Sequence, residues 1–521
     1  MAVQLSIGSG VAGADASLSR LVADRVASRI FEKDATLWGP AAAAEAAIRL
    51  GWTDFARAAE ELIPGIERLR EEFAAEGVDR IVLCGMGGSS LAPAVITRWA
   101  GVELTMIDST HPDAVRRVLD ADLLGRTAVV VSSKSGSTIE TRSHLAAFEH
   151  AFRSAGIMPA ERIVIVTDPG SPLDGESRVA GRRVFNADPK VGGRFSALTA
   201  FGLVPSGLAG ADIRALVADA AGVRDALSAD SDENPALRLA AAVDAGLPER
   251  LILAVGENAG SAWGLGSWIE QLVAESTGKD GKGVLPIALP IDAPEFGAPP
   301  ANTVRVRVGA ELPDGSEGWD IASAGPLGAQ MLAWEVATAA LGFLMGIDPF
   351  NQPDVEAAKV AARAVLGESG STVDDGAEPE SGAASAARIV EELRAAVPAG
   401  GYLAIQAYLD PSSAQARALH ELRDRLASRL GAPVALGFGP SYLHSVGQLH
   451  KGGPALGAFL QLTEVGDRDL MIPGAESSFG ALIAAQARGD REVLAERGRP
   501  VVVMPLLHGD DGRLRELIAA L

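Results

Sequence analysis

Apolar positions recur at helical spacing through residues 16–75, first in LSRLVADRVASRIF and again from Phe55 to Phe73, and this periodicity predicts a helical N-terminal segment over residues 1–75. From residue 80 the pattern changes. Short unbroken apolar runs alternate with helical stretches: RIVLCG (80–85), ELTMID (103–108), TAVVVSS (127–133) and RIVIVTD (162–168). Runs that lack a polar alternation predict strands buried on both faces, as in a parallel sheet covered by helices. A second such series begins at RLILAVG (250–256) and continues through GVLPIAL (283–289), TVRVRVG (303–309) and a long helix from about Pro326 to Met345. A third comprises YLAIQAYLD (402–410), PVALGFG (433–439), AFLQLTE (458–464) and PVVVMPL (500–506).

The expected architecture is α/β. Two doubly wound parallel-sheet domains, at 76–235 and 236–366, follow the helical segment, and a third α/β domain occupies 388–521. Between the second and third, residues 367–387 (GESGSTVDDGAEPESGAASAA) are rich in Gly, Ser, Ala and acid and read as a linker. At roughly 100–200 residues per domain, 521 residues accommodate this division.

Charge and cysteine content narrow the function. Forty-six Lys and Arg against 67 Asp and Glu give a net charge of −21, which repels phosphate backbones and argues against nucleic-acid or anionic-membrane partners. The single cysteine, Cys84, excludes an internal disulfide and any multi-cysteine metal site and fits a reducing compartment. No stretch reaches about 18 uninterrupted apolar residues and no basic-then-apolar leader opens the chain, so a cytoplasmic protein is expected.

Two strand-to-helix turns carry the chemistry. The run at 80–85 leads into CGMGGSSLAP (84–93), a glycine-rich turn bearing Gly88, Ser89 and Ser90. Its backbone amides and the following helix N-terminus suit a phosphate. The run at 127–133 leads into SSKSGSTIET (132–141), where Ser133, Lys134, Ser135 and Thr138 can donate several hydrogen bonds to one phosphate. For Ser137 and Thr138 helix capping is the competing reading. In an open parallel sheet, neighbouring turns of this kind converge beyond the carboxyl ends of the strands.

These two motifs resemble the phosphate loops of the sugar isomerase domain family, and more narrowly of its glucose-6-phosphate isomerase branch. VGGRFSALTAFGL (191–203), FNQPDVEAAK (350–359) and EQLVAESTGK (270–279) resemble further signatures of the same family, all in the expected order. The resemblance implies an aldose–ketose isomerase of a hexose 6-phosphate, without cofactor or metal. Glu275 matches the base that moves a proton between adjacent carbons through an enediol. Gly193 and Arg194 match the position that stabilises the intermediate, and Gln271 and Gln352 the sugar and phosphate contacts. Lys359 matches a lysine that helps open the cyclic sugar. Taken alone, a Glu in VAEST reads as a solvated helix end and a lone Arg as structural. Members of the family are commonly dimers, so a homodimer is one reading, although the added C-terminal domain could cover the dimer surface.

One family feature is absent. Known members place a ring-opening His in the segment that here reads PLGAQMLAWE (326–335), which offers Gln330, and no His occurs between His150 and His420. Gln cannot exchange a proton near neutral pH. The replacement candidates are His444 and His450 in PSYLHSVGQLHKGGP (440–454), beside Lys451. This segment resembles the C-terminal region of the isomerase half of fused transaldolase and glucose-6-phosphate isomerase proteins. The remaining histidines, His111, His144, His150, His420 and His508, have no supporting context in the sequence. A variant that also accepts mannose 6-phosphate, and a non-catalytic sugar-phosphate sensor, are the alternatives to be separated.

Overall fold

A computed structural model describes residues 2–11, 13–312, 315–354, 382–465 and 469–521. Its strands in chain order are β1 (Gln4–Ile7), β2 (Arg80–Gly85), β3 (Thr105–Ile107), β4 (Thr127–Ser132), β5 (Ile163–Thr167), β6 (Arg183–Asn186) and β7 (Ile252–Glu257). They continue as β8 (Leu285–Leu289), β9 (Thr303–Gly309), β10 (Ile321–Ala324), β11 (Tyr402–Tyr408), β12 (Val434–Phe438), β13 (Gly457–Val465) and β14 (Val501–Leu507). They form three sheets ordered β3-β2-β4-β5-β6, β1-β10-β9-β7-β8 and β12-β11-β13-β14. Every pairing is parallel except that of β1 with β10.

The three sheets share one winding. In each, the first strand of the unit lies between the second and the third, so the direction of winding reverses beside it (β2 and β4; β7 and β9; β11 and β13). Chain leaving two such neighbours diverges to opposite faces and opens a crevice beyond their carboxyl ends. β2 and β4 are the strands that lead into the two serine-rich turns.

The unbroken apolar runs mark the strands because both faces are covered: β4 and β5 are buried at every position. Three strands escape the apolar pattern. β6 (RVFN) is a short, half-exposed edge, β10 (IASA) has little β-branched character, and β1 (QLSI) supplies an antiparallel edge from within the segment expected to be helical. The helix Leu327–Met345 is long and apolar enough to cross a membrane, with a mean hydropathy of 1.3, but 89% of that stretch is buried as the central helix of the core. Of the expected linker, residues 367–381 lie outside the described residues, while Gly382 precedes a helix, Ala383–Ala396, that takes up the linker's last five positions.

The third sheet is fastened to the second by a buried ion pair. Arg423, on the helix Ala414–Leu430, meets Glu295 at 2.7 Å, with both side chains at most 4% exposed, and Glu295 also accepts from the Val434 amide. Breaking one half of such a pair leaves an uncompensated charge. Arg423→Met is therefore expected to cost about 3–5 kcal/mol in denaturant unfolding, and Arg423→Met with Glu295→Leu to recover most of it. A single-variant loss below about 1 kcal/mol would contradict this role.

Candidate active site

The turn after β2 and the turn containing Arg194 are pressed together. A Cβ on Gly88 would lie 2.2 Å from the Gly193 carbonyl oxygen, so only glycine permits the approach. Phe195, next in the chain, stacks on Trp52 at 5.3 Å and packs on Phe350 at 5.5 Å, which fixes the direction in which Arg194 leaves the backbone.

The guanidinium of Arg194 is buried and fully engaged. Nε donates to Ser276 Oγ at 2.8 Å, Nη2 to the carbonyls of Pro349 (2.6 Å) and Asn351 (3.0 Å), and Nη1 to Gln352 Oε1 at 3.3 Å. Nη1 also lies 3.3 Å from Glu275 Oε1. Burial lowers the Arg194 pKa from its ordinary value, opposed by the negative charges of Glu275 and Asp348. Glu275 and Gln271 sit one turn apart on the helix Leu265–Thr277, and Gln271 Nε2 donates to Glu275 Oε2 at 3.1 Å. The carboxylate, 7% exposed, is thus no solvated helix end.

Lys279, at the end of the same motif, was not singled out in the sequence. Its buried ammonium donates to the carbonyl of Asp348 (2.6 Å) and to Asn351 O (2.7 Å) and Oδ1 (2.9 Å), holding the turn whose carbonyls hold Arg194. Burial, and then the charge of Arg194, pull its pKa down to about 7. A lysine on a glycine-flanked helix end reads as solvated in a sequence, and only its burial distinguishes it.

In the turn after β4, Ser133 Oγ donates to Thr138 Oγ1 at 3.0 Å, and Ser135 and Ser137 hydroxyls lie 3.0 Å apart on the exposed side. Thr138 occupies the N-cap position of the helix Ile139–Ser154, yet its side chain makes no capping bond. Lys134 is turned away: its ammonium donates to Asp168 at 2.6 Å and to the Pro189 carbonyl. The expectation that this ammonium grips phosphate is corrected accordingly, because a carboxylate already pairs it. Ser89 is buried in the turn after β2, and Ser90 Oγ donates to the Gly87 carbonyl.

The third unit enters the site through residues 440–454. Leu449 packs against the end of the Glu275 helix, where a Cβ on Gly278 would lie 2.3 Å from Leu449 Cα, and Gln448 Nε2 donates to the Gly278 carbonyl at 2.9 Å. The His444 carbonyl accepts from Gln271 Nε2 at 2.7 Å, while the His444 ring reaches Glu140 Oε1 at 3.0 Å. Glu140 follows the β4 turn and also accepts from Gln486 Nε2 at 2.7 Å. Burial works to raise the Glu140 pKa, but the charge and hydrogen bond of His444 outweigh it and hold the group below the usual carboxylate value.

His450 is placed differently, and the expectation for it is corrected. Its ring lies among Tyr402, Tyr442 and Phe459 with neither nitrogen hydrogen-bonded, and burial, reinforced by the charges of Lys451 and Arg499, pushes its pKa down to about 3. Lys451 is taken by the buried Asp490 at 2.6 Å. Lys359 lies outside the described residues. Gln330 bonds the Gly309 and Gly325 carbonyls inside the core.

No protein-family model matches the chain. It is 29% identical over 395 residues to the glucose-6-phosphate isomerase of Rubrobacter xylanophilus, covering 61% of this chain and 90% of that one. It is 34% identical over 237 residues to the glucose-6-phosphate isomerase of Thermus thermophilus (44% of this chain, 56% of that). A Synechococcus enzyme of the same name is 40% identical over 171 residues (31% and 32%). Among solved structures, hypothetical protein TT0462 from Thermus thermophilus superposes with a TM-score of 0.60 at 25% identity, covering 70% of this chain and all of that one. The glucose-6-phosphate isomerase of Chlamydia trachomatis shares the fold, with a TM-score of 0.53 at 22% identity over 67% and 79% of the two chains. The chain thus shares its fold with these two solved structures over 70% and 67% of its length. In sequence the chain is similar to these proteins named glucose-6-phosphate isomerase.

The contact at Gly88 yields a paired test of stability. Gly88→Ala forces backbone against backbone and is expected to cost about 1–3 kcal/mol in thermal or denaturant melts. Gly193→Ala, whose Cβ would meet nothing within 4 Å, is expected to stay within about 0.5 kcal/mol of the parent. Equal losses would mean that the two turns are not in the described contact.

Proposed function

We propose that the protein interconverts glucose 6-phosphate and fructose 6-phosphate through an enediol, with Glu275 moving the proton between carbons 1 and 2. The observation that carries this reading is the buried Glu275 carboxylate, held between Arg194 at 3.3 Å and Gln271 at 3.1 Å where the turns from two units meet. A carboxylate suffices to lift a proton beside a carbonyl, provided a fixed cation faces the oxygen that gains charge. Arg194 supplies that cation and keeps its own proton throughout. Ser133, Ser135 and Thr138 receive the phosphate, together with the amides of the Gly88–Ser89 turn. Gln352 and the open space beside Gly193 receive the sugar.

His444 is the group that exchanges a proton with the ring oxygen during opening. Glu140, at 3.0 Å, holds the imidazole in place. Lys359 keeps the ring-opening part that the family resemblance suggests for it. The substrate partner is a hexose 6-phosphate and the compartment the cytoplasm, and a homodimer is compatible with this scheme.

Glu275→Gln is expected to lower turnover of fructose 6-phosphate at least about 100-fold while leaving substrate binding measurable, as read by coupled assay and calorimetry. Parent protein that binds fructose 6-phosphate without isomerising it would establish the sensor reading instead. The same assay with mannose 6-phosphate tests the broader specificity. His444→Gln is expected to slow conversion of cyclic glucose 6-phosphate by about 10²-fold or more and to spare an open-chain analogue. Equal loss on both substrates would remove ring opening from its role.

A further inference from the structure

Four groups with no common motif meet at the carboxyl edge of the third sheet. Glu464 lies near the end of β13 and His508 directly follows β14, whereas His111 and Asp113 open the helix Pro112–Val118 of the first unit. His111 Nε2 stands 2.7 Å from Glu464 Oε2, and His508 Nδ1 stands 3.0 Å from the same oxygen. His508 Nε2 lies 3.3 Å from Asp113 Oδ2. The side chains of His111 and Glu464 are 7% and 9% exposed, while that of His508, at 32%, opens the cluster to solvent. β13 is the third strand of its unit and adjoins β11, the first, so the cluster borders the crevice that this winding creates.

The cluster satisfies its donors and acceptors in either of two ways. His508 has a carboxylate oxygen at each ring nitrogen, an arrangement that suits either an imidazolium donating to both or an imidazole with one N–H and a cation at its other nitrogen. In the second way a divalent cation is shared by Nδ1 and Glu464, leaving Nε2–H to donate to Asp113 in a carboxylate–histidine–metal arrangement. The ligand atoms of His111, Glu464 and His508 all lie within 4.8 Å of one another. Zinc bound tetrahedrally at about 2.0–2.1 Å needs its ligands roughly 3.3 Å apart, so the carboxylate retreats by a few tenths of an ångström while the two imidazole nitrogens, within 4.8 Å of one another, draw together. His111 must move its ring proton to Nδ1 and give up the 3.3 Å bond from the Asp113 amide, a long and weak one.

We propose that His111, Glu464 and His508 form a binding site for a divalent cation of the zinc class, with Asp113 orienting His508 and the fourth position open to water. Two imidazoles and one carboxylate suit zinc or cobalt better than magnesium or calcium, which favour all-oxygen sites. The site joins the first unit to the third, and no step of the isomerisation passes through it.

The test uses tag-free, full-length protein stripped with chelator and titrated with Zn²⁺ alone by calorimetry, then with Co²⁺ by visible absorption. One equivalent of Zn²⁺ is expected to bind, and Co²⁺ to give the absorption of a four-coordinate nitrogen–oxygen site. Asp113→Asn is expected to weaken binding about 10- to 100-fold, and Glu464→Gln and His508→Gln by more. His508→Gln alters a partly exposed side chain, so a folding defect in Glu464→Gln leaves the test intact. Absence of zinc uptake by the parent protein, or uptake unchanged in both Glu464→Gln and His508→Gln, overturns the proposal.

Discussion

The buried pairing of Arg194 with Glu275 is the constraint on which the rest of the site depends. Neither charge can be taken out of water cheaply, and at 3.3 Å their mutual attraction alone does not offset the desolvation of both. The deficit is met by further hydrogen bonds: Ser276, the Pro349 and Asn351 carbonyls and Gln352 around the guanidinium, and Gln271 on the carboxylate. Each of those groups must in turn be held. Lys279 fixes the 348–351 turn, Phe195 fixes the backbone of Arg194 between Trp52 and Phe350, and Gly88 lets the glycine-rich turn after β2 close against Gly193. The pair therefore organises chain from the N-terminal helices, the first sheet and the second sheet at one point.

The repeated winding of the three sheets explains where the functional groups gather. Each reversal of strand order leaves a crevice at the carboxyl edge, and in the first and third sheets chain from the other unit packs against that edge. Residues 440–454 close over the first unit's turns, bringing His444 to Glu140. The helix Pro112–Val118 of the first unit returns the contact by covering the edge of the third sheet, where Arg117 pairs with Asp410 and His111 with Glu464. The additional unit is thus part of the site's wall, tied to the second sheet by Arg423 and Glu295.

His444 and His450 show how sharply local geometry divides similar residues. They lie six positions apart in one short segment, yet one meets a carboxylate beside the Glu275 helix and the other sits in a ring of aromatic side chains where its charged form is strongly disfavoured. The difference arises because His444 stands in a short turn facing the first unit, whereas His450 sits in the helix Gly447–Gly452 against the third sheet.

Periodicity and motif order determined much of this protein. Strands buried on both faces betray themselves as apolar runs, which is why β2, β4, β5, β9 and β11 are legible in the chain, and the turns after β2 and β4 betray themselves as glycine and serine at strand ends. Edge strands such as β6 and β10 are not legible, since a half-exposed or small-residue strand carries no such run. Roles that depend on approach from distant sequence were settled by tertiary structure alone. Lys134 looks like a phosphate ligand until Asp168 is seen to hold it, and Lys279 looks solvated until it is buried. His111 and His508 look unremarked until Glu464 gathers them across some 400 residues of chain. A side chain's chemistry is written in the sequence, but its protonation, partners and exposure are set by what the fold packs against it.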